Sequence, residues 1–254
     1  MRMDAPLPAR GAVMTHVAVY CFSGSGHSRA VAGLLASELH ASLIDLPTAQ
    51  IPADPDLRLV VVFPVYCQQV PAPVRTFLRA LRAGVLIPVA VWGCVSHGDV
   101  LRDVRRMARI PVVAAAYIPA PHSYLPQTEQ LVPPDRAALS RLSAAVLSAG
   151  APAEVRLPRA FRNPFAGFFP AWRSRVSVRL ERQRHCTRCG HCASVCPVGA
   201  MQDGIPNRRC IRCLRCVSAC PCGALSVSYS PLLLRYLART CAALRTPPAA
   251  EVYV

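Results

Sequence analysis

The sequence predicts an α/β protein in two parts. A doubly wound, five-stranded parallel sheet spans residues 16–150, and a small α+β domain spans residues 181–228. Three observations carry this. Short apolar, β-rich runs alternate with helical stretches through the first half. The first of these runs passes through a loop of glycines and hydroxyls straight into a helix. The second half holds eight cysteines in two runs of identical spacing.

The first strand is VAVYCFS, residues 17–23, a short apolar run of the kind that is buried on both faces in a parallel sheet. Further strands are expected at 42–46, 59–65, 87–93 and 112–118, and helices at 29–39, 73–81, 100–108 and 135–148. The loop between the first strand and helix reads SGSGHS, residues 23–28. Its glycines let backbone N–H groups approach an anion, its hydroxyls donate further, and the helix N-terminus adds partial positive charge. That is a phosphate cradle. Ligands in such sheets sit at the carboxyl ends of the strands, where the other loops are PVYCQQVP (64–71) and GCVSHGD (93–99).

In the second half, Cys186, Cys189, Cys192 and Cys196 precede Pro197, and Cys210, Cys213, Cys216 and Cys220 precede Pro221. The runs start 24 residues apart, and PVGAM after the first answers PCGAL after the second, so the unit is duplicated. Zinc ribbons favour two cysteine pairs separated by a long loop, and a disulfide framework favours an exported chain; both fit this pattern less well than iron–sulfur ligation. The spacing C-x2-C-x2-C-x3-C-P resembles bacterial ferredoxins with two 4Fe-4S clusters. In those proteins the fourth cysteine of each run serves the other cluster. The resemblance therefore implies one cluster on Cys186, Cys189, Cys192 and Cys220, and another on Cys210, Cys213, Cys216 and Cys196.

The first half resembles flavodoxin, whose first loop reads T/S-x-T/S-G-x-T/S, a pattern matched by Ser23, Ser25, Gly26 and Ser28. The chain as a whole, over residues 16–228, resembles EFR-type ferredoxins, in which a flavodoxin-like domain precedes a two-cluster ferredoxin. That resemblance implies FMN, with Ser23, Gly24, Ser25, Gly26, His27 and Ser28 at its phosphate and Tyr66, Gly93 and His97 beside its ring. The chain departs from the pattern in three places: His27 and Cys94 stand where asparagine is usual, and His97 where a tyrosine often stacks. Trp92, Cys21, Cys67 and Cys94 read first as packing residues.

The formal net charge is +16, and all 29 basic residues are arginine. This reads as compositional bias together with a basic face for a redox partner protein with an acidic docking surface. No nucleic-acid-binding motif accompanies the charge, so no nucleic acid partner is expected. Residues 110–128 are uncharged but broken by four prolines, and no membrane span is expected. Residues 1–15 read as a disordered leader with no apolar signal core. Thirteen cysteines around a cluster motif imply a reducing, cytoplasmic setting.

Residues 151–180 read as a linker rich in arginine and aromatic residues, expected to pack on the body with arginines outward. A membrane-surface role is the lesser reading, because no sustained helical period supports it. Over 229–254, Ser230 and Pro231 open a helix to about Leu244, with Leu233, Tyr236, Leu237, Cys241 and Leu244 as its apolar stripe.

The functional expectation is electron transfer: FMN exchanges electrons with two 4Fe-4S clusters, which serve a redox partner. Two alternatives stand beside it. One is an iron–sulfur flavoprotein reductase with its own substrate. The other is a ferredoxin whose first domain has lost FMN and docks partners.

Overall fold

A computed structural model describes residues 16–82, 84–93, 95–125, 134–148, 153–243 and 248–254. The expected leader, Cys94 and the expected helix end at Leu244 lie outside the described residues.

The first half builds β1 (Val17–Cys21), α1 (His27–Glu38), β2 (Ser42–Asp45), β3 (Arg58–Pro64), α2 (Ala72–Ala80), β4 (Val85–Trp92), α3 (Val100–Met107), β5 (Ala115–Pro119) and α4 (Arg136–Leu147). These five strands are parallel in the order β2-β1-β3-β4-β5, the strand order of flavodoxin-like doubly wound sheets. The period-two rule explains why the sheet is buried on both faces. Leu59, Val61 and Phe63 of β3 join the core beneath α2 and α3, while Val60 and Val62 join the core beneath α1 and α4.

The second half adds α5 (Phe169–Trp172), β6 (Val178–Arg182), α6 (His191–Ser194), β7 (Met201–Gln202), β8 (Ile205–Pro206), α7 (Arg215–Ser218), β9 (Leu225–Tyr229), α8 (Pro231–Ala243) and β10 (Glu251–Tyr253). Strands β6 and β9 pair antiparallel, as do β7 and β8. The duplication seen in the sequence is also one of backbone conformation. Left-handed residues recur 24 positions apart as Arg188 and Arg212, Gly190 and Leu214, and Gly199 and Gly223. The sulfurs of Cys196 and Cys220 each accept a backbone N–H four residues on, from Ala200 at 3.1 Å and Ala224 at 3.3 Å.

Two expectations are corrected. The main sheet has six strands, because β10 returns from beyond the cysteine runs and pairs antiparallel with β5, Val252 opposite Ala116. Three residues after a proline–alanine stretch carry no periodicity from which a strand could be read.

In the segment after residue 152, one arginine and the aromatics depart from the expected arrangement. Arg173 is buried, whereas Phe161, Phe165 and Phe168 are exposed. The segment is anchored by Val155 and Leu157 in the sheet core and by polar bonds, so it needs no aromatic burial. Val155 N–H donates to Val112 O at 2.9 Å, Asn163 N–H to Gln68 Oε1 at 2.8 Å and Gln69 Nε2 to Ala166 O at 2.8 Å. Arg162 reaches buried Asp103 at 2.6 Å.

Candidate cofactor cavity and cysteine sets

A cavity of about 470 Å3 lies at the carboxyl ends of β1, β3, β4 and β5. That is the position where doubly wound sheets bind ligands, and the size suits a cofactor. The loop after β1 forms one wall with Ser23, Gly24, Ser25, His27 and Ser28. Gly26, left-handed at φ 101°, is the N-cap of α1 and has no capping side chain, while the Ser23 hydroxyl accepts from Arg29 N–H at 3.3 Å. Burial lowers the pKa of His27, which favours its neutral form.

The structure adds residues to this wall that the sequence did not single out. Ser123, from the loop after β5, shares a 2.7 Å hydroxyl hydrogen bond with Ser25. His122 packs so closely on Gly93 that a Cβ there would lie 2.9 Å from its ring. Burial, then the charges of Arg173 and His27, bring His122 down to about 4, so the ring is neutral near pH 7. These residues lie about a hundred positions from the first loop, and only β5 brings them there.

Tyr66 lines the cavity, but its ring lies under the Arg173 guanidinium, 4.9 Å from the ring centroid, and its hydroxyl abuts Gly24. Burial holds the Tyr66 phenol well above its ordinary pKa. Tyr66 opens a two-residue turn closed by paired backbone bonds with Gln69, with Cys67 and Gln68 both left-handed at φ 52° and 57°. Non-glycine residues adopt this conformation at a cost, and such strain clusters at ligand sites. The side chain of Gln68 fastens the turn to Ser96 at 2.9 Å.

His97 does not line the cavity. Its ring stacks on Tyr117 at 3.8 Å between centroids, meets Trp92 edge-on at 5.0 Å, and its Nε2 lies 3.4 Å from Glu251 of β10. A loop residue read as a ring contact thus becomes a link between the sheet and its sixth strand.

The other wall comes from the second half of the chain. Cys213, Arg212, Arg173, Trp172 and residues of α8 complete the cavity. The carbonyl of Ile211 accepts from Arg173, and that of Arg212 accepts from the Tyr124 hydroxyl at 2.9 Å. Arg215, between Cys213 and Cys216, pairs with Asp45 at the end of β2 through both carboxylate oxygens, one at 3.1 Å.

The ferredoxin resemblance divides the eight motif cysteines into two sets. Cys186, Cys189, Cys192 and Cys220 line one small cavity, three from the first run and the last from the second. Cys189 is exposed, and the other three are half-buried. Cys210 and Cys216 are buried. Burial, followed by repulsion from Cys213, Cys210, Cys196 and Cys192, pushes Cys216 up to about 12. Burial likewise takes Cys213 to about 11, with Cys210 and Cys196 adding to it. Thiols crowded in this way give up their protons to a metal, which supplies the charge that the surroundings lack. Among the described residues no three His, Cys, Asp or Glu side chains close round a point as a single ion requires. The donors are thiols alone, a set that suits zinc or an iron–sulfur cluster.

Comparison with known proteins bears on the first run. A family model described as a 4Fe-4S binding domain matches residues 183–202. Residues 183–202 are therefore similar to a 4Fe-4S binding segment. No curated protein matches the chain. Among solved structures, a candidate flavoprotein from Bacteroides uniformis is similar at 14% identity, covering 42% of this chain and 92% of its own, with a TM-score of 0.32.

Proposed function

We propose that the protein relays electrons between a flavin in the sheet cavity and two 4Fe-4S clusters, and from the clusters to a redox partner. One observation carries the reading. Cys213 belongs to the inner cysteine set and also lines the cavity. A flavin there would lie beside an inner cluster held by Cys196, Cys210, Cys213 and Cys216. The outer cluster, on Cys186, Cys189, Cys192 and Cys220, would lie next to solvent.

Each part of the chain has a task in this relay. Ser23, Gly24, Ser25, Gly26, His27 and Ser28 would hold the FMN phosphate, with Ser123 extending the cradle. Gly93 and Tyr66 border the space for the ring, while His97 lies away from it. FMN accepts electrons in pairs and releases them singly, and each cluster carries one at a time. The cysteines set the order of the centres, and the half-buried pair Asp45–Arg215 holds the two parts in register. Arg188, Arg208 and Arg209 beside the cysteines offer charge to an acidic partner in a reducing compartment.

The test is iron, sulfide and flavin content of anaerobically purified protein, followed by single-turnover oxidation by an acceptor protein. Expected are about eight irons and one FMN per chain. Cys189→Ser should remove about four irons and block delivery while leaving the flavin bound. Eight irons without flavin would leave a ferredoxin with a docking domain, and bound zinc would overturn the reading.

A further inference from the structure

Among the described residues, eight of the exposed large apolar side chains fall in two segments that share the cavity rim. Phe161, Phe165 and Phe168 are 79%, 65% and 73% exposed, and Trp172 and Val176 beside them are also exposed. The second segment is α8, whose inner face docks through Leu237 and Cys241. Its outer face repeats at i, i+3, i+4 and i+7 as Leu232, Arg235, Tyr236 and Arg239, all exposed. Trp172, Leu232 and Tyr236 are at once exposed and part of the cavity lining, which places the two segments side by side.

Within the two segments the charge has one sign. Residues 155–180 and 204–250 contain no aspartate or glutamate, and Arg156, Arg159, Arg179, Arg235 and Arg239 are exposed, while Arg162 is paired with Asp103. Soluble proteins rarely leave so much aromatic surface uncovered in one place without an interaction to cover it. A helix whose outer face mixes apolar side chains with arginine suits a boundary between an apolar phase and water. Aromatic rings interleaved with arginine make up the composition of segments that lie in the headgroup region of an anionic bilayer. There the rings enter the acyl boundary and the guanidinium groups meet lipid phosphate. No helix among the described residues is long and apolar enough to cross a membrane, so the segments would lie on it.

We propose that this face docks the protein on the surface of an anionic lipid bilayer, with the cavity rim turned toward the lipid. The proposal rests on exposure and charge alone and is independent of which cofactors the chain holds.

Co-sedimentation of the purified holoprotein with phosphatidylcholine vesicles, with and without phosphatidylglycerol, tests it. The intact protein should bind vesicles containing phosphatidylglycerol, with affinity falling as salt rises, and bind phosphatidylcholine alone weakly. Phe161→Ser/Phe165→Ser/Phe168→Ser should lose about tenfold or more in affinity, and Leu232→Ser/Tyr236→Ser should lose in the same direction. Arg235→Gln/Arg239→Gln should lose mainly the preference for phosphatidylglycerol. An unchanged visible spectrum and thermal midpoint show each variant to be folded. An intact protein that stays in the supernatant with both vesicles overturns the proposal, as does an aromatic variant that binds like the parent. So does a dimer in solution that the aromatic variant dissolves, since the face would then belong to a second copy of the chain.

Discussion

The carbonyl oxygen of Cys213 faces Gly24 so closely that a Cβ on the glycine would stand 2.0 Å from it. The cradle loop of the sheet and the second cysteine run are therefore in backbone contact, with the Tyr66 hydroxyl closing the gap at 2.6 Å from the same point. The contact explains why the cavity is walled by both halves of the chain. Neither half could form it alone.

Gly24→Ala tests the contact directly. A backbone carbonyl cannot rotate away as a side-chain end can, so the two halves must separate or the loop must deform. A loss of about 2–4 kcal/mol is expected in denaturant unfolding, together with weaker flavin retention. Gly33→Ala is the contrasting case. Gly33 lies inside α1 with open space where its Cβ would be, so that change should stabilise by roughly 0.5–1 kcal/mol.

Asp45 and Arg215 hold the same junction by charge. The pair is bidentate and only about a quarter exposed, with side-chain values of 25% and 21%. Such a pair should couple more strongly than a surface bridge, and a double-mutant cycle of Asp45→Asn and Arg215→Gln should return about 1–3 kcal/mol. A coupling near zero would mean that the halves are held by the Gly24 contact and the carbonyl bonds of Arg173 and Tyr124 instead.

Much of this architecture is legible in the sequence. Strands β1 to β4 and helices α1 to α4 fall within about two residues of their expected places, because apolar runs and helical periods alternate without interruption. β5 starts three residues later than expected: Val112 forms an isolated bridge to Leu86, and its carbonyl accepts from Val155. What could not be read reaches the cavity from far along the chain. Ser123 and His122 stand in a loop whose local sequence gives no sign of a shared site. Arg173 reads as one surface arginine among eight in residues 150–185, yet it is buried, covers Tyr66 and binds the carbonyl of Ile211. The exposed aromatics have the same origin, since composition records that aromatics are present and not which way they face.

Acid should weaken the fold through His122. In the folded chain its pKa is near 4, against about 6.5 unfolded, so between these values the unfolded chain binds the extra proton. Stability from this group is complete above pH 6.5 and declines as pH falls through the window toward 4. The thermal midpoint of the parent should therefore drop more steeply between pH 7 and 4.5 than that of His122→Gln, with a difference on the order of 1–3 kcal/mol. Parallel curves for the two proteins would show that His122 does not carry the acid response.

The two cysteine sets differ in burial, and the proposed clusters should differ in lability for the same reason. Cys189 is exposed, while Cys210 and Cys216 are buried in the core of the second half. Oxygen and chelators reach a cluster through its exposed ligands, so air or excess chelator should remove the outer cluster first and the inner one more slowly. Iron release should then be biphasic, with about half the iron in each phase. Gly24→Ala, by loosening the contact over Cys213, should speed the slow phase and leave the fast one unchanged. A single phase in the parent protein, or a fast phase that responds to Gly24, would contradict the order of centres in which the inner set borders the cavity and the outer set borders solvent.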